Sequence, residues 1–376
     1  MMNKGFACVL SVLGICSYLA TAANAEEVVA QASLEFRPTV VGIDTALNRV
    51  YLPGISFETG EKLLGIYNVH NGSQTVLSLA EPDLVATGVA VNSNNGRVYL
   101  RGDTRLVVFD GYSQDIVKTV QVNLSFDFGV ENIPENVAVN ESTNRVFLVG
   151  YTDSNERELI EYDEDTDAIT RIPLGEFDPR TMVVNSTSSR VYVAGNAFPG
   201  ERQVLVFDGD GTLLETLTIP TDPVYMAVNS ALNRVYIAGY RFPTNERELV
   251  IIDGDSNSFT SLPFGENDPF DLEVSSSSGR LFAPSFNVFG ESSVQIFDSR
   301  GTLLPPLSLN SFFFIGEPCD ASRFSSRRQR FWRNAIADNR HAGLFLRRDD
   351  HQRPEERSSR PDHKQWHYQR SVVQLG

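Results

Sequence analysis

The chain has 376 residues, of which 41% are hydrophobic and 21% are charged, and its formal net charge at pH 7 is −16. This length allows a large hydrophobic core, and three cysteines are too few for a fold held together by disulfides. Because an acidic surface repels phosphate backbones, we expect no nucleic-acid partner.

The first 25 residues have the pattern of a signal peptide. Lys4 provides the positive charge, residues 6–20 form a short apolar run, and Ala23-Asn24-Ala25 is an A-x-A cleavage site. We therefore predict cleavage after Ala25 and a bacterial protein that is periplasmic or secreted. We also expect a monomer without a membrane span after cleavage. Of the three cysteines only Cys319 would remain, so the mature chain could form no internal disulfide.

Residues 26–315 contain one motif six times, in which an arginine follows a polar turn and precedes an apolar run. The arginines are separated by 48, 48, 45, 44 and 46 residues, at Arg49, Arg97, Arg145, Arg190, Arg234 and Arg280. A period near 46 residues is typical of a repeat architecture. The repeats span approximately 38–85, 86–133, 134–178, 179–222, 223–268 and 269–315.

Each repeat predicts four β-strands. In the fifth repeat, Asn229 ends one apolar run and Arg234 begins the next, and an Asx or Ser side chain at this position can close a hairpin turn. A third apolar run ends in an acid, as at Asp208, and a fourth run follows a short polar turn. Nearly continuous apolar runs indicate strands buried on both faces. The prediction is an all-β fold, a β-propeller of four-stranded blades with six recognisable repeats, and a degenerate seventh repeat is left open.

The segment before the first repeat also predicts a strand. Residues 28–36 read VVAQASLEF, and propellers use such a strand to close the ring by completing the last sheet. Five repeats open with a proline six residues before the Asx or Ser position, which excludes a central strand there. These prolines are Pro38, Pro134, Pro179, Pro223 and Pro269.

Residues 316–376 differ in composition from the repeats. They contain 13 basic and 8 acidic residues, both tryptophans (Trp332 and Trp366) and four of the five histidines. Pro318 lies where the next entry proline is expected, and the repeat pattern then stops. We interpret this basic tail as a frameshifted or degenerate seventh repeat. A native disordered tail and a functional basic segment are the alternatives.

The repeats resemble the YVTN family of β-propeller repeats. The motif is clearest at residues 190–193 and 234–237, each followed by a strand such as VFDG, and the resemblance covers about 38–315. It implies an extracytoplasmic propeller, as in surface-layer proteins, and assigns no catalytic residue. Lactonase-type propellers share the hairpin pattern more distantly.

Propeller geometry predicts where a ligand would bind. Loops between the second and third strands should share one face with the connections between repeats, and aromatic and acidic side chains there suit a protein or glycan partner. The predicted ligand-binding residues are Asp178, Asp222, Asp268, Tyr151, Phe198, Tyr240, Phe242 and Phe286. The alternative is that the aspartates cap turns and the aromatics cover blade edges.

The sequence predicts no cofactor and leaves calcium open. Residues 163–167 alternate carboxylates, as calcium loops do, but Ala168 and Leu174 stand where an EF-hand needs Gly and Glu. A plain hairpin turn is therefore favoured there.

No catalytic motif is present, and the repeats contain a single histidine, His70. We therefore expect a non-enzymatic binding protein. The alternative is a lactonase-like hydrolase at the channel mouth, in which an acid pair such as Asp178 and Asp222 performs acid–base chemistry.

Overall fold

A computed structural model of the chain describes residues 36–81, 84–125, 136–276, 278–287 and 291–308. These residues form a six-bladed β-propeller with four strand positions in each sheet. The strands of sheets 1 to 3 are β1 (Phe36–Pro38), β2 (Gly42–Asp44), β3 (Arg49–Ser56), β4 (Lys62–Asn68), β5 (Gln74–Ser78), β6 (Gly88–Asn92), β7 (Arg97–Arg101), β8 (Arg105–Asp110), β9 (Asp115–Gln121), β10 (Val137–Asn140), β11 (Arg145–Tyr151), β12 (Arg157–Asp163) and β13 (Ala168–Gly175).

Sheets 4 to 6 follow in the same order. Their strands are β14 (Phe177–Asn185), β15 (Arg190–Ala197), β16 (Glu201–Phe207), β17 (Leu213–Thr218), β18 (Thr221–Asn229), β19 (Arg234–Arg241), β20 (Glu246–Asp253), β21 (Phe259–Pro263), β22 (Asp268–Pro269), β23 (Glu273–Val274), β24 (Leu281–Phe286), β25 (Ser292–Phe297) and β26 (Leu303–Ser308). In sheets 1 and 6 the first strand position is divided into two short strands, β1 with β2 and β22 with β23.

Every sheet is an antiparallel meander in which consecutive strands pair, and this arrangement confirms the predicted fold class. In sheet 5 the second strand is buried from Val235 to Gly239, because other sheets cover both of its faces. The fourth strand of sheet 4 is mostly exposed. The apolar runs therefore occupy the middle of each sheet, as their lack of alternation predicted.

Hydrophobic clusters between consecutive sheets form the core. Tyr192 and Val204 of sheet 4, for example, share a cluster with Val235, Ile237 and residues of the strand beside them in sheet 5. Clusters of the same kind join sheets 1 and 2, 2 and 3, 3 and 4, and 5 and 6. Stability thus comes from sheet-on-sheet packing.

The recurrent Asx or Ser position closes the first hairpin of each sheet, as predicted. Asn185 Oδ1 accepts hydrogen bonds from the backbone N–H groups of Thr187 and Ser188, at 3.0 and 3.2 Å. The side chain is fully buried, and its Nδ2 donates to Asn233 Oδ1 of the next sheet at 2.7 Å. Asn233 has a φ of 50°, in the left-handed region that Asn tolerates better than most residues.

The recurrent arginines join neighbouring sheets, a role that the sequence analysis did not predict. Arg145 Nη1 of sheet 3 donates to the carbonyl oxygen of Gly209 in sheet 4 at 2.7 Å. Arg234 Nη1 of sheet 5 likewise donates to Ser299 O in sheet 6 at 2.5 Å. In both cases the acceptor lies in the turn between the third and fourth strands of the following sheet.

The entry prolines among the described residues, Pro38, Pro179, Pro223 and Pro269, lie on the first strand of their sheets, which has one unpaired edge. The strands containing Pro179 and Pro223 begin two residues before the proline, and their pairing register shifts just after it. The missing N–H is accommodated by an edge position and a bulge. The prolines therefore lie inside the first strand, two residues later than the predicted entry point.

Several predictions concern residues outside the described ranges: the signal peptide, the N-terminal strand at 28–36 up to residue 35, Pro134 and the tail 316–376. The last sheet has a fourth strand of its own, Leu303–Ser308, and the predicted role of the N-terminal strand in that sheet concerns residues outside the described ranges. Within the described ranges, no helix is long and apolar enough to cross a membrane.

Candidate functional site

The candidate site lies on the face that carries the loops between second and third strands and the connections between sheets. We call this the loop face, and the opposite one, with the Asx turns, the hairpin face. Strand register places Asp178 opposite Asn196 and Asp222 opposite Tyr240, at the loop end of their sheets. The predicted division of the molecule into two faces is thus confirmed.

Two of the three predicted aspartates pair with a tyrosine of the preceding sheet. The Tyr151 hydroxyl donates to Asp178, and the Tyr240 hydroxyl donates to Asp268 at 3.0 Å. Arg247 Nε also donates to Asp268 at 2.7 Å, and this hydrogen bond raises the pKa of Arg247. Asp268 is buried. These groups hold neighbouring sheets together, so their hydrogen-bonding capacity is largely used within the protein.

The equivalent place between sheets 4 and 5 is different. Asn196 occupies the position that Tyr151 has in sheet 3, since each follows the glycine of its second strand. Here Asn196 Oδ1, Arg202 Nε and Asp222 Oδ1 are all buried, and none of them has a hydrogen-bond partner among the described residues. Buried polar atoms are rarely left unpaired, because the lost hydration costs about 1–3 kcal/mol per group. Because sheet 4 has Asn196 where sheet 3 has Tyr151, Asp222 lacks the tyrosine hydroxyl that Asp178 receives.

The two most exposed phenylalanines of the described residues flank this place. Phe198 is 81% exposed and Phe242 is 61% exposed, at equivalent positions in the loops of sheets 4 and 5, and each precedes a cis proline. The Arg202 guanidinium carbon lies 3.9 Å from the centre of the Phe242 ring, within range of a cation–π interaction. The loop face therefore presents two aromatic rings and an arginine on adjacent sheets.

A groove of about 360 Å³ adjoins Phe198 between sheets 3 and 4. Its lining includes Ile172 and Leu174 of sheet 3 and Leu205 of sheet 4. The groove is mainly apolar, so it can accept a hydrophobic side chain beside the exposed Phe198 ring.

The remaining predicted aromatic, Phe286, lies elsewhere on the loop face. Its ring stacks on Phe270 of its own sheet, with ring centres 6.1 Å apart. Phe286 is half-buried, unlike Phe198 and Phe242. The structure thus brings Tyr151 to Asp178 and Tyr240 to Asp268, whereas the Phe286 ring packs on Phe270 of its own sheet.

The carboxylates at residues 163–167 form a hairpin turn between the third and fourth strands of sheet 3. Asp163 Oδ1 accepts the N–H of Thr166 at 3.0 Å, and Asp167 accepts the Tyr162 hydroxyl at 2.9 Å. Turn formation therefore accounts for these side chains. Within the described ranges, no group of three or more His, Cys, Asp or Glu side chains is arranged to hold a metal ion.

One carboxyl pair lies on the innermost strand position of sheet 6, which borders the propeller axis. Burial, with a smaller contribution from Asp271, raises the pKa of Glu273 to about 8 from its ordinary value of 4.5. Asp271 is buried, and its Oδ1 accepts the N–H of Leu272. The sequence signal was the spacing of these two acids, with Asp271 two residues before Glu273, which begins β23.

Sequence reasoning missed Arg202, Asn196 and the groove. Arg202 recurs as Arg157 and Arg247 in the neighbouring sheets, so its place on the third strand was visible in the repeats. Its contact with Phe242 depends on two sheets meeting, which no single repeat reveals.

No protein-family model matches this chain, and no curated protein matches it either. Solved β-propellers are similar in structure. The β-propeller domain of the Trilobed protease from Pyrococcus furiosus, with an open velcro topology, matches with a TM-score of 0.54 and 11% identity, covering 74% of this chain and 86% of that one.

Two further neighbours have different activities in their descriptions. A quinoprotein alcohol dehydrogenase-like protein from Bacteroides thetaiotaomicron matches with a TM-score of 0.51 and 16% identity, covering 71% of this chain and 65% of that one. An oligogalacturonate lyase in complex with manganese matches with a TM-score of 0.56 and 11% identity, covering 74% and 78%. At such identities the similarity shows the β-propeller fold alone.

Proposed function

We propose that this protein is an exported, non-enzymatic β-propeller that binds a protein partner through its loop face, centred on Phe198, Phe242 and Arg202. The observation that carries the proposal is the exposure of two phenylalanines at equivalent loops of adjacent sheets, with Arg202 stacked on one of them. Aromatic residues and arginine are enriched among the residues that dominate binding energy at protein interfaces.

The exposure of Phe198 and Phe242 differs from that of an isolated apolar side chain on a protein surface. Single exposed apolar residues are common, and Tyr112, 60% exposed on the hairpin face, is an example. Phe198 differs because an apolar groove adjoins it and Phe242 follows on the next sheet. An apolar side chain of a partner could enter the groove while its neighbours cover the two rings.

The side chains around Phe198 and Phe242 favour a protein partner over a glycan. Glycan sites need several polar groups that match sugar hydroxyls, whereas the groove beside Phe198 is lined mainly by apolar side chains, with Glu176 and Gln203 as the polar ones. A protein segment with apolar anchors fits this surface better than a sugar. The signal-peptide pattern of residues 1–25 supports export to a compartment where such a partner would be met.

The test uses a displayed random-peptide library selected on the parent protein. Selected peptides and an array of neutral and cationic glycans are then measured against the parent, the Phe198→Ser/Phe242→Ser variant and a matched control, Tyr112→Ser. We expect peptide affinity to fall more than tenfold in the double variant and to stay unchanged in the control. Equal affinity for the parent and the double variant, or glycan binding alone, would contradict the proposal.

A hydrolase at the channel mouth is the second candidate, and one observation favours it. Glu273 has a pKa near 8, so it would be protonated at neutral pH and could act as a general acid. Turnover of a panel of lactones that disappears in Glu273→Gln would support this function.

A further inference from the structure

Three positions recur on the loop face where sheets 3 and 4, 4 and 5, and 5 and 6 meet, and we call each of these places a junction. The first position follows the glycine of the second strand, and the second is its paired neighbour on the third strand. The third position is the aspartate before the entry proline of the following sheet. The pairs are Tyr151 with Arg157, Asn196 with Arg202 and Tyr240 with Arg247, and the aspartates are Asp178, Asp222 and Asp268.

A tyrosine occupies the first position at the two outer junctions and donates to the aspartate of the next sheet. The Tyr151 hydroxyl donates to Asp178, and the Tyr240 hydroxyl donates to Asp268 at 3.0 Å. At the first junction the guanidinium carbon of Arg157 lies 5.8 Å from the centre of the Tyr151 ring. The fold thus uses the same solution twice, in which a phenol hydroxyl satisfies the carboxylate.

The backbone at Asp222, in the middle junction, has the same arrangement as the backbone at Asp178. In both strands the pairing register shifts just after the proline that follows the aspartate. The carbonyl oxygen of each aspartate lies 2.1 Å from where a Cβ would stand on the opposite glycine, which is Gly195 for Asp178 and Gly239 for Asp222. The middle junction therefore differs in its side chains, with Asn196 in place of a tyrosine.

The middle junction presents two buried acceptor oxygens and an arginine. Asn196 Oδ1 and Asp222 Oδ1 are buried, and neither accepts a hydrogen bond from a described residue. Arg202 Nη1 donates to the carbonyl oxygen of Gly200 at 2.6 Å, and its guanidinium carbon lies 3.9 Å from the centre of the Phe242 ring. Because buried acceptors are normally satisfied, the chemistry of this junction favours a ligand that donates a hydrogen bond.

A neutral hydroxyl on an aromatic ring suits the middle junction better than a cation does. Arg202 already brings a positive charge to this junction, so a lysine or arginine from a partner would meet a like charge. A guanidinium is planar and can stack on aromatic rings, and the exposed rings of Phe198 and Phe242 provide further aromatic surface beside it. Among protein side chains, tyrosine combines a ring with a hydroxyl donor.

We propose that the middle junction binds a tyrosine side chain of the partner, whose phenol takes the place that Tyr151 and Tyr240 have at the outer junctions. This inference rests on the proposed function, because it names the anchoring side chain of the protein that binds the loop face. The partner's hydroxyl donates to Asp222, and its ring lies against Arg202. Asn196 distinguishes the site, since its side chain is shorter than the tyrosine of the outer junctions.

Titrations of the full chain with two small probes, N-acetyltyrosinamide and N-acetylphenylalaninamide, test this inference without a selected peptide. The probes differ only in the hydroxyl, so the ratio of their dissociation constants, measured by NMR of each probe, reports what the hydroxyl contributes. Asn196→Tyr supplies a phenol from the protein itself, and Asp222→Ala removes the acceptor. Tyr112→Ser, on the hairpin face, is the matched control.

We expect the parent and Tyr112→Ser to bind the tyrosine amide at least about fivefold more tightly than the phenylalanine amide. This preference should disappear in Asn196→Tyr and in Asp222→Ala. No binding of the tyrosine amide to the parent, equal affinity for the two amides, or a preference that Asn196→Tyr retains would overturn the inference. Peptide affinity that still falls in Phe198→Ser/Phe242→Ser would in that case support the proposed function without a tyrosine site.

Discussion

The hairpin face and the loop face of this propeller are built on the same six sheets but from different kinds of sequence. On the hairpin face one pattern recurs, in which a fully buried Asx or Ser side chain closes the turn and an arginine reaches the next sheet. On the loop face the equivalent positions vary, with Tyr151 in sheet 3, Asn196 in sheet 4 and Tyr240 in sheet 5.

This difference distinguishes residues that hold the sheets together from residues that are candidates for binding a partner. A residue that recurs every 46 residues or so performs the same task in every sheet, and the contacts of Asn185 and Arg234 show that the task is joining sheets. A phenylalanine stands at the Phe198 position in three of the six repeats, at Phe57, Phe198 and Phe242, so the sheet architecture does not require it. The irregular positions are therefore where the proposed partner would bind.

The largest expected effect comes from removing one recurrent Asx side chain. Asn185→Ala leaves the N–H groups of Thr187 and Ser188 and the side-chain oxygen Oδ1 of Asn233 without these hydrogen bonds. We expect a loss of about 2 kcal/mol in the free energy of unfolding. Chemical denaturation measures it, with Asn71→Ala, at an exposed turn, as the control. A loss no larger than that of the control would refute the architectural role.

The next effect depends on pH and concerns Glu273, which belongs to neither face. The folded protein keeps this carboxyl protonated up to a pKa of about 8, whereas the unfolded chain releases the proton near 4.5. The parent should therefore lose stability as the pH rises from 4.5 to 8, and Glu273→Gln should not.

At pH 8 the Glu273→Gln variant should melt above the parent, and at pH 4 the two should coincide. Melting curves across this pH range, with the exposed Glu246→Gln as the matched control, measure the difference. A constant offset at all pH values would mean that proton release by Glu273 is not its cause.

A smaller effect is expected from a substitution that makes a loop-face position of sheet 4 resemble the equivalent positions of sheets 3 and 5. Asn196→Tyr restores the phenol found at Tyr151 and gives Asp222 a hydroxyl donor, as Asp178 has. We expect a gain of about 1 kcal/mol in unfolding free energy. Asn196→Phe, which lacks the hydroxyl, should gain less. Equal gains would attribute the effect to packing instead.

The smallest effect on stability is expected at Phe198 and Phe242. Because both rings are more than half exposed, Phe198→Ser/Phe242→Ser should change the free energy of unfolding by less than about 0.5 kcal/mol. Denaturation curves of parent and variant provide the measurement. A large loss would show that the rings support the fold and would remove the case for a binding role.

The sequence alone predicted most of the fold. The six arginines set the period, and Asn229 with Arg234 marked a hairpin that the structure contains. Local chemistry decides these features, since turn closure and burial on both faces act within one repeat. The arginine contacts were not predictable in this way, because they depend on how successive sheets meet.

The candidate site was predictable only in part. Phe198 and Phe242 were predicted as exposed loop aromatics, whereas Asp268 is buried in an ion pair with Arg247. Sequence separation hides such pairing, because the partners lie 21 residues apart and on different sheets. The unpaired atoms of Asn196, Arg202 and Asp222 emerge only when three strands are placed together.

The most direct test of the division between the two faces measures stability and peptide binding in the same two variants. Asn185→Ala should lower the unfolding free energy by about 2 kcal/mol and leave the affinity for loop-face peptides unchanged at a temperature where it is folded. Phe198→Ser/Phe242→Ser should do the opposite. If both variants lose stability and affinity together, the recurrent and irregular residues do not have separate roles and the account is wrong.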